Sequence, residues 1–177
     1  SGDAALLDSV KQAGEVLRAA HRADWSAAIP ALAEARSLLV LGRGFTLPIA
    51  GEAALKLKET AGLHAEAFSV AEVAHGPMTL VDATDPVLVF GPLDQAREGL
   101  PGRIADFAAR GAMVIAAGRE EDVGDAAIRW TCPPNADPVL GSIAYIQSFY
   151  GLANAVATSR GRDPDRPPHL SKVTRTL

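Results

Sequence analysis

GRGFTLPIAGEAALKLKETAGLHAEAFSVAEVAHGP, residues 42–77, is the stretch from which the fold is read. It opens on Gly42-Arg43-Gly44, a turn too tight for side chains, and runs into a helix expected from about Leu47 to Gly62. Just upstream, Ser37 to Leu41 is a short apolar run, the signature of a buried parallel strand. Pro48 falls in the first helical turn, where its missing N–H leaves no bond unmade. Ile49, Ala53, Leu57 and Ala61 recur every four residues and are expected to face a sheet. Gly62 is placed to end the helix, and Ala65 to Val70 reads as the next strand.

Three charges ride on a different face of that helix, Glu52, Lys56 and Glu59. Spacing alone makes them a solvated stripe with one Glu-to-Lys pair, worth a few tenths of a kcal/mol. Ala71 to His75 reads as one helical turn that sets Glu72 and His75 on the same side, and Pro77 ends it. Glu-x-x-His is also the spacing of carboxylate-bridged metal sites. Those need a second copy and further glutamates, which the sequence lacks, so no metal is expected. The glycine turn is open to two readings, a packing turn or an anion-binding helix start. G-x-G without a third glycine, and without a following K-[ST], matches neither the dinucleotide nor the P-loop pattern.

Outward from this stretch, Ala4 to Ala20 shows helical periodicity in Leu6, Leu7, Val10, Ala13, Val16 and Leu17. Asp24 to Ala35 is expected as a second helix with Asp24 at its N-cap. Downstream, Pro86 to Gly91, Ala112 to Ala117 and the more polar Ala126 to Thr131 read as strands, the last at an edge. Leu93 to Arg110 is expected as one helix. After the Pro133-Pro134 break, about Pro138 to Arg160 forms another, marked by Val139, Ile143, Ile146, Phe149, Leu152 and Val156. Five strands alternating with helices predict an α/β fold, a three-layer α/β/α sandwich around a five-stranded parallel sheet.

The 177 residues suffice for one domain with a substantial core. Aromatics are only 5%, so a core of Ala, Val, Leu and Ile is expected. A net charge of −4 and a pI near 5.5 argue against nucleic acid or an anionic membrane as partner. Cys132 is the single cysteine, which fits a reducing, cytoplasmic setting without disulfides or cysteine-based metal clusters. No apolar run reaches the roughly 18 residues of a spanning helix, and no signal-peptide pattern opens the chain. The opening Ser1-Gly2, without an initiator methionine, leads us to expect a fragment of a longer protein. The prolines of RDPDRPPHLSKVTRTL, residues 162–177, predict an extended tail lying outside the core.

Taken together, four blocks resemble the sugar isomerase (SIS) domain: LGRGFTLPIAGEAALKLKET, LHAEAF, the E-x-x-H-G-P of Glu72 to Pro77, and GRDPDRPPHLSKV. They are most similar to the second of the two SIS domains in the isomerase part of glucosamine-6-phosphate synthase and related phosphosugar isomerases and deaminases. The resemblance implies a flavodoxin-like SIS unit over 36–160, N-terminal helices over 1–35 packing on it, and a tail over 161–177 reaching the active site. It also implies roles. Glu59 corresponds to the carboxylate that moves a proton between C1 and C2 of the sugar, with Glu52 and Lys56 lining the same site. His75 corresponds to the ring-opening histidine, contributed across a dimer interface. Lys172 corresponds to the tail lysine that forms an imine with the open-chain ketose, and Ser171 beside it contributes backbone contacts.

That chemistry suits these residue types. A carboxylate serves as base on an acidic C–H, a lysine imine acts as electron sink, and a histidine donates and accepts near neutral pH. The implied function is aldose–ketose interconversion of a hexose or aminohexose 6-phosphate, with no cofactor. An aminosugar-phosphate deaminase and a sugar-phosphate-binding module without catalysis stay open beside it. A second SIS domain and a homodimer are the implied partners. The family's Ser/Thr-rich phosphate loop has only Thr46 as a counterpart here, and the glutaminase domain is absent from these residues.

Overall fold

The computed structural model describes residues 2–131 and 137–168, with side chains from residue 7 onward. Five strands, β1 (Ser37–Gly42), β2 (His64–Ser69), β3 (Val87–Phe90), β4 (Val114–Gly118) and β5 (Ile128–Thr131), form one sheet in the order 2-1-3-4-5. Every pairing is parallel, as expected, and β5 lies at an edge. Alternation along the strands divides the core. Leu38, Val40, Leu88, Phe90, Ile115 and Ala117 face one side, and Leu39, Leu41, Val87, Val89, Val114 and Ala116 the other.

The first face is covered by α2 (Ile29–Glu34), α3 (Leu47–Lys56) and α6 (Pro138–Ser159), with α1 (Gly2–His21) packed on α6. Ala53, Leu57 and Ala61 meet the sheet as their spacing requires, joined by Ala50. The second face is covered by α4 (Leu100–Ala109), α5 (Glu120–Val123) and the 3₁₀ turns Glu72–His75 and Pro77–Leu80, through Val73, Met78, Leu100, Ile104, Phe107 and Val123. Handedness explains the division. Right-handed crossovers that run one way from β1 to β2, and the other way from there through β3 to β5, must lie on opposite faces. The direction reverses between β1 and β3, which is where this class of sheet opens a crevice.

Several elements differ from expectation, each for a local reason. Asp24 accepts the Ser26 N–H (2.8 Å), but it opens a 3₁₀ turn, Ser26–Ala28, and the helix proper begins at Ile29 with Pro30 in its first turn. The helix expected from Leu93 begins only at Leu100, because Gly99 adopts φ +79° and Pro101 then starts α4. Along α6 the buried side runs through Leu140, Ala144, Tyr145, Phe149, Leu152 and Val156, leaving Val139 and Ile143 47% and 45% exposed. The core is built mainly of Ala, Val, Leu and Ile, as the composition suggests, and most of its aromatics gather on one face. Phe90 meets Tyr145 at a tilt (6.1 Å) and Phe149 edge-on (5.9 Å), and Trp130 meets Tyr145 edge-on at 5.6 Å. Trp25 adds an Nε1–H bond to the Ser148 hydroxyl (3.3 Å). The Pro133-Pro134 break and Cys132 lie outside the described residues.

One arginine ties the ends of three elements together. Arg160, at the C-terminus of α6, donates Nε to the Ala61 carbonyl (2.9 Å) and NH1 to the Ala33 and Ala35 carbonyls (2.7 and 3.0 Å). These are acceptors that helix ends leave unsatisfied and that a cation complements. Arg162 packs on Gly62, whose φ of +58° only glycine adopts freely; a Cβ there would stand 2.2 Å from the Arg162 Cζ. The tail then turns instead of extending at once, with the Arg166 N–H bound to the Asp163 carbonyl (3.1 Å). Replacing Arg160 by Ala should cost about 2 kcal/mol, the scale of charge-assisted bonds to otherwise unpaired carbonyls. Chemical denaturation measures this, with Arg160→Lys recovering less than half; a loss below about 0.5 kcal/mol would contradict the assignment.

Candidate functional site

The α-helical register of α3 stops at Lys56. Leu57–Ala61 continues as a π-helical turn, closed by Gly62 and by a Leu63 N–H bond to the Leu57 carbonyl (3.1 Å). The Thr60 hydroxyl donates to the Lys56 carbonyl (2.8 Å), engaging the acceptor that an uninterrupted α-helix would use for the Thr60 N–H. Such single π turns recur at functional sites. Glu59 sits inside this one.

The turn presents Glu59 to Lys56. Lys56 Nζ donates to Glu59 Oε2 at 2.6 Å and lies 3.8 Å from Glu52 Oε1, so the ammonium is clamped between two carboxylates. All three side chains are about one-third exposed. The hydrogen bond that Lys56 donates to Glu59, and more weakly the charges of Glu52 and Glu59, push Lys56 above its ordinary 10.5 against the opposing effect of partial burial. A fourth member comes from α6: the Tyr150 hydroxyl donates to Glu52 Oε1 at 3.3 Å. Burial first, and then the Glu52 charge, raise the Tyr150 phenol above its ordinary 10.0. The structure therefore brings Glu52, Lys56 and Glu59 together, and adds a tyrosine that the spacing of the charged residues could not supply.

The glycine turn proves to be a packing turn. A Cβ on Gly42 would lie 2.2 Å from the Thr46 carbonyl oxygen, so glycine is required there for the chain to fold back on itself. Thr46 is fully buried; its hydroxyl accepts the Arg43 N–H (3.0 Å) and donates to the Phe90 carbonyl (2.7 Å), stitching β1 to β3. The single hydroxyl of the turn is thus spent on the fold. The crevice beside it carries Asp94, whose carboxylate oxygens stand 3.7 and 3.9 Å from a Cβ built on Gly44. A carboxylate is poor company for a phosphate.

His75 stands elsewhere. It is exposed on the second-face crossover, between the buried Val73 and Met78, whereas Glu59 belongs to the helix covering the first face. The sheet lies between them. Ser171 and Lys172 lie outside the described residues. The described part of the tail does leave from the right place: Arg160 bonds Ala61 and Arg162 packs on Gly62, at the end of the turn holding Glu59. A cavity of about 330 Å³ at the N-terminal ends of β1 and β2 contains none of the four described candidate residues, Glu52, Lys56, Glu59 and His75. Its Asp82 and Asp85 are engaged by Thr84, Arg36 and Ser37. Among the described residues no cluster of three or more His, Cys, Asp or Glu side chains is arranged to hold a metal ion, and no helix is long and apolar enough to cross a membrane.

Comparison with known proteins agrees with this fold. Over 175 residues the chain is 36% identical to the glutamine–fructose-6-phosphate aminotransferase (isomerizing) of Gluconobacter oxydans, covering 96% of this chain and 28% of that one. The enzyme of the same name from Thermococcus kodakarensis is 36% identical over 141 residues, covering 80% and 23%. The chain therefore spans about a quarter of the length of these curated relatives. Among solved structures, a chain from Silicibacter pomeroyi whose assignment as a phosphosugar isomerase is provisional superimposes with a TM-score of 0.77 at 38% identity, over 90% of this chain and 48% of that one. The C-terminal domain of glucosamine-fructose-6-phosphate aminotransferase from Francisella tularensis gives 0.61 at 27%, over 88% and 42%. The family model described as the SIS domain matches residues 31–120, about half of the sequence, and the chain belongs to the SIS domain family.

Proposed function

We propose that this chain is the C-terminal SIS half of a phosphosugar isomerase that interconverts aldose and ketose forms of a hexose or aminohexose 6-phosphate. The observation that carries the reading is the clamp at the π turn, in which Lys56 holds Glu59 Oε2 and leaves Oε1 to carry a proton between C1 and C2. Lys56 remains an ammonium at neutral pH, so it also supplies positive charge beside the enediolate that forms as the proton moves. Lys172, on the tail that departs from the end of the same turn, would act as imine former; about ten residues separate it from Arg162, and an extended chain of that length reaches ~33 Å.

Two observations favour a site completed by other units. Thr46 has no hydroxyl hydrogen to offer a phosphate and Asp94 opposes one, so a second SIS unit is assigned the phosphate grip. His75 and Glu59 are on opposite faces of the sheet, which fits a ring-opening histidine donated by the partner in a homodimer. Leu47 and Leu55 on α3, with Val139 and Ile143 on α6, are exposed apolar residues on the two helices joined by the Tyr150–Glu52 bond, and give such a unit something to cover.

Glu59→Gln, made in the polypeptide or complex that carries both SIS units, should lower turnover of fructose 6-phosphate or glucosamine 6-phosphate ~10²–10⁴-fold, the usual worth of a positioned base. Calorimetric binding of the same sugars should survive. Unchanged turnover would remove Glu59 from the chemistry, and binding without turnover in the parent protein would favour the non-catalytic module. The clamp itself is checked by pH. A raised lysine value means that its stabilisation is present below 10.5 and is lost as pH rises through the folded value. Lys56→Met should therefore cost up to about 1 kcal/mol at neutral pH, the upper range for a solvent-screened pair. The gap between parent and variant, followed by denaturation, should close well above pH 10.5; a constant gap would mean that the ammonium is not what the carboxylates hold.

A further inference from the structure

We infer that Tyr150 is a positioning residue for the proton-transfer chemistry, fixing Glu52 and through it the ammonium that holds Glu59. The inference rests on the isomerase reading of the clamp. Its basis is a difference between the members. Glu52, Lys56 and Glu59 all belong to one stretch of helix, and ion pairs within a helix at this exposure are weak because two long side chains must surrender their freedom to form them. Nothing in such a trio fixes its geometry to the tenths of an ångström that a base requires. Tyr150 is different. It projects from α6, and its neighbours Phe149 and Leu152 anchor that helix in the core at 0% and 2% exposure.

A tyrosine has two side-chain torsions, so holding its hydroxyl in place costs little entropy. Its bond to Glu52 Oε1 spans 98 residues of sequence and ties the relay to a second element. The same carboxylate oxygen is the one nearest Lys56, at 3.8 Å, and Lys56 in turn donates to Glu59 at 2.6 Å. The order is tyrosine, glutamate, lysine, glutamate. The phenol donates to the Glu52 carboxylate and stands at the fixed end of the chain.

Tyr150→Phe keeps the ring and removes the hydroxyl. In the protein carrying both SIS units it should lower kcat about tenfold while KM for the sugar phosphate stays within twofold, and the melting temperature should not move. In the chain alone, ¹³C relaxation at the Lys56 ε-carbon should report a more mobile side chain in the variant. Glu52→Ala and Tyr150→Phe should be non-additive in kcat, since each removes one partner of the same bond. Unchanged Lys56 mobility, unchanged kcat, or additive losses would each overturn the inference. These outcomes stand apart from the isomerase reading, which fails if Glu59→Gln turns over normally, whereas the mobility of Lys56 is measured without substrate.

Discussion

The sheet's reversal of direction between β1 and β3 constrains everything else in this molecule. Right-handed crossovers oblige α3 to lie on one face and the β2-to-β3 connection to lie on the other. That single rule places Glu59 and His75, only sixteen positions apart in sequence, on opposite sides of a sheet. The six-residue strand β2 passes between them and rises ~20 Å. A site that needs both residues close together is not made within one copy of this fold.

Around that constraint the local chemistry is consistent. The crevice at the reversal is where an α/β sheet usually receives a ligand, yet here Thr46 and Gly42 consume it. The threonine hydroxyl links β1 to β3, and glycine permits the chain to pass within contact of its own carbonyl. Polar function has moved to the other end of α3, where the π turn, Gly62 and Arg160 converge. Arg160 satisfies carbonyls from two helix ends and holds the start of the tail against the turn that carries Glu59. Stability and the geometry of the candidate site thus share residues, and damage to one is expected to reach the other.

How far this could be read from the sequence depends on the range of the interaction concerned. Periodicity and punctuation carried the five strands, the buried face of α3 and the ending at Gly62, because each depends on residues within a turn or two. They misplaced the start of α4, where Gly99 and Pro101 override a run that otherwise reads as helix. The distribution of the aromatics was hidden for the opposite reason: Trp25, Phe90, Trp130 and Tyr145 are scattered in sequence and meet only on one face of the folded sheet. For the site, the spacing of Glu52, Lys56 and Glu59 gave a charged stripe and nothing more. The resemblance gave it a role, and the fold supplied the clamp. Tyr150 was legible to neither, since its one informative contact lies 98 residues away. The π register of Leu57–Ala61 was equally hidden, because no residue pattern distinguishes it from one more α-helical turn.

These observations together bear on why a fold of this size would divide its labour. Glu59 is held by Lys56, and the chain ties that pair to α6 through Glu52 and Tyr150. A phosphate needs several convergent donors, and the glycine turn directs the hydroxyl of Thr46 inward. His75 is carried at a distance from the clamp that the sheet itself enforces. Exposed apolar residues on α3 and α6, Leu47, Leu55, Val139 and Ile143, are costly for a unit that works alone and useful for one that is covered by a second. The clamp forms inside a single copy because Glu52, Lys56, Glu59 and Tyr150 lie on adjacent helices of one face. His75 cannot join it, because the crossover rule has already put the sheet between them.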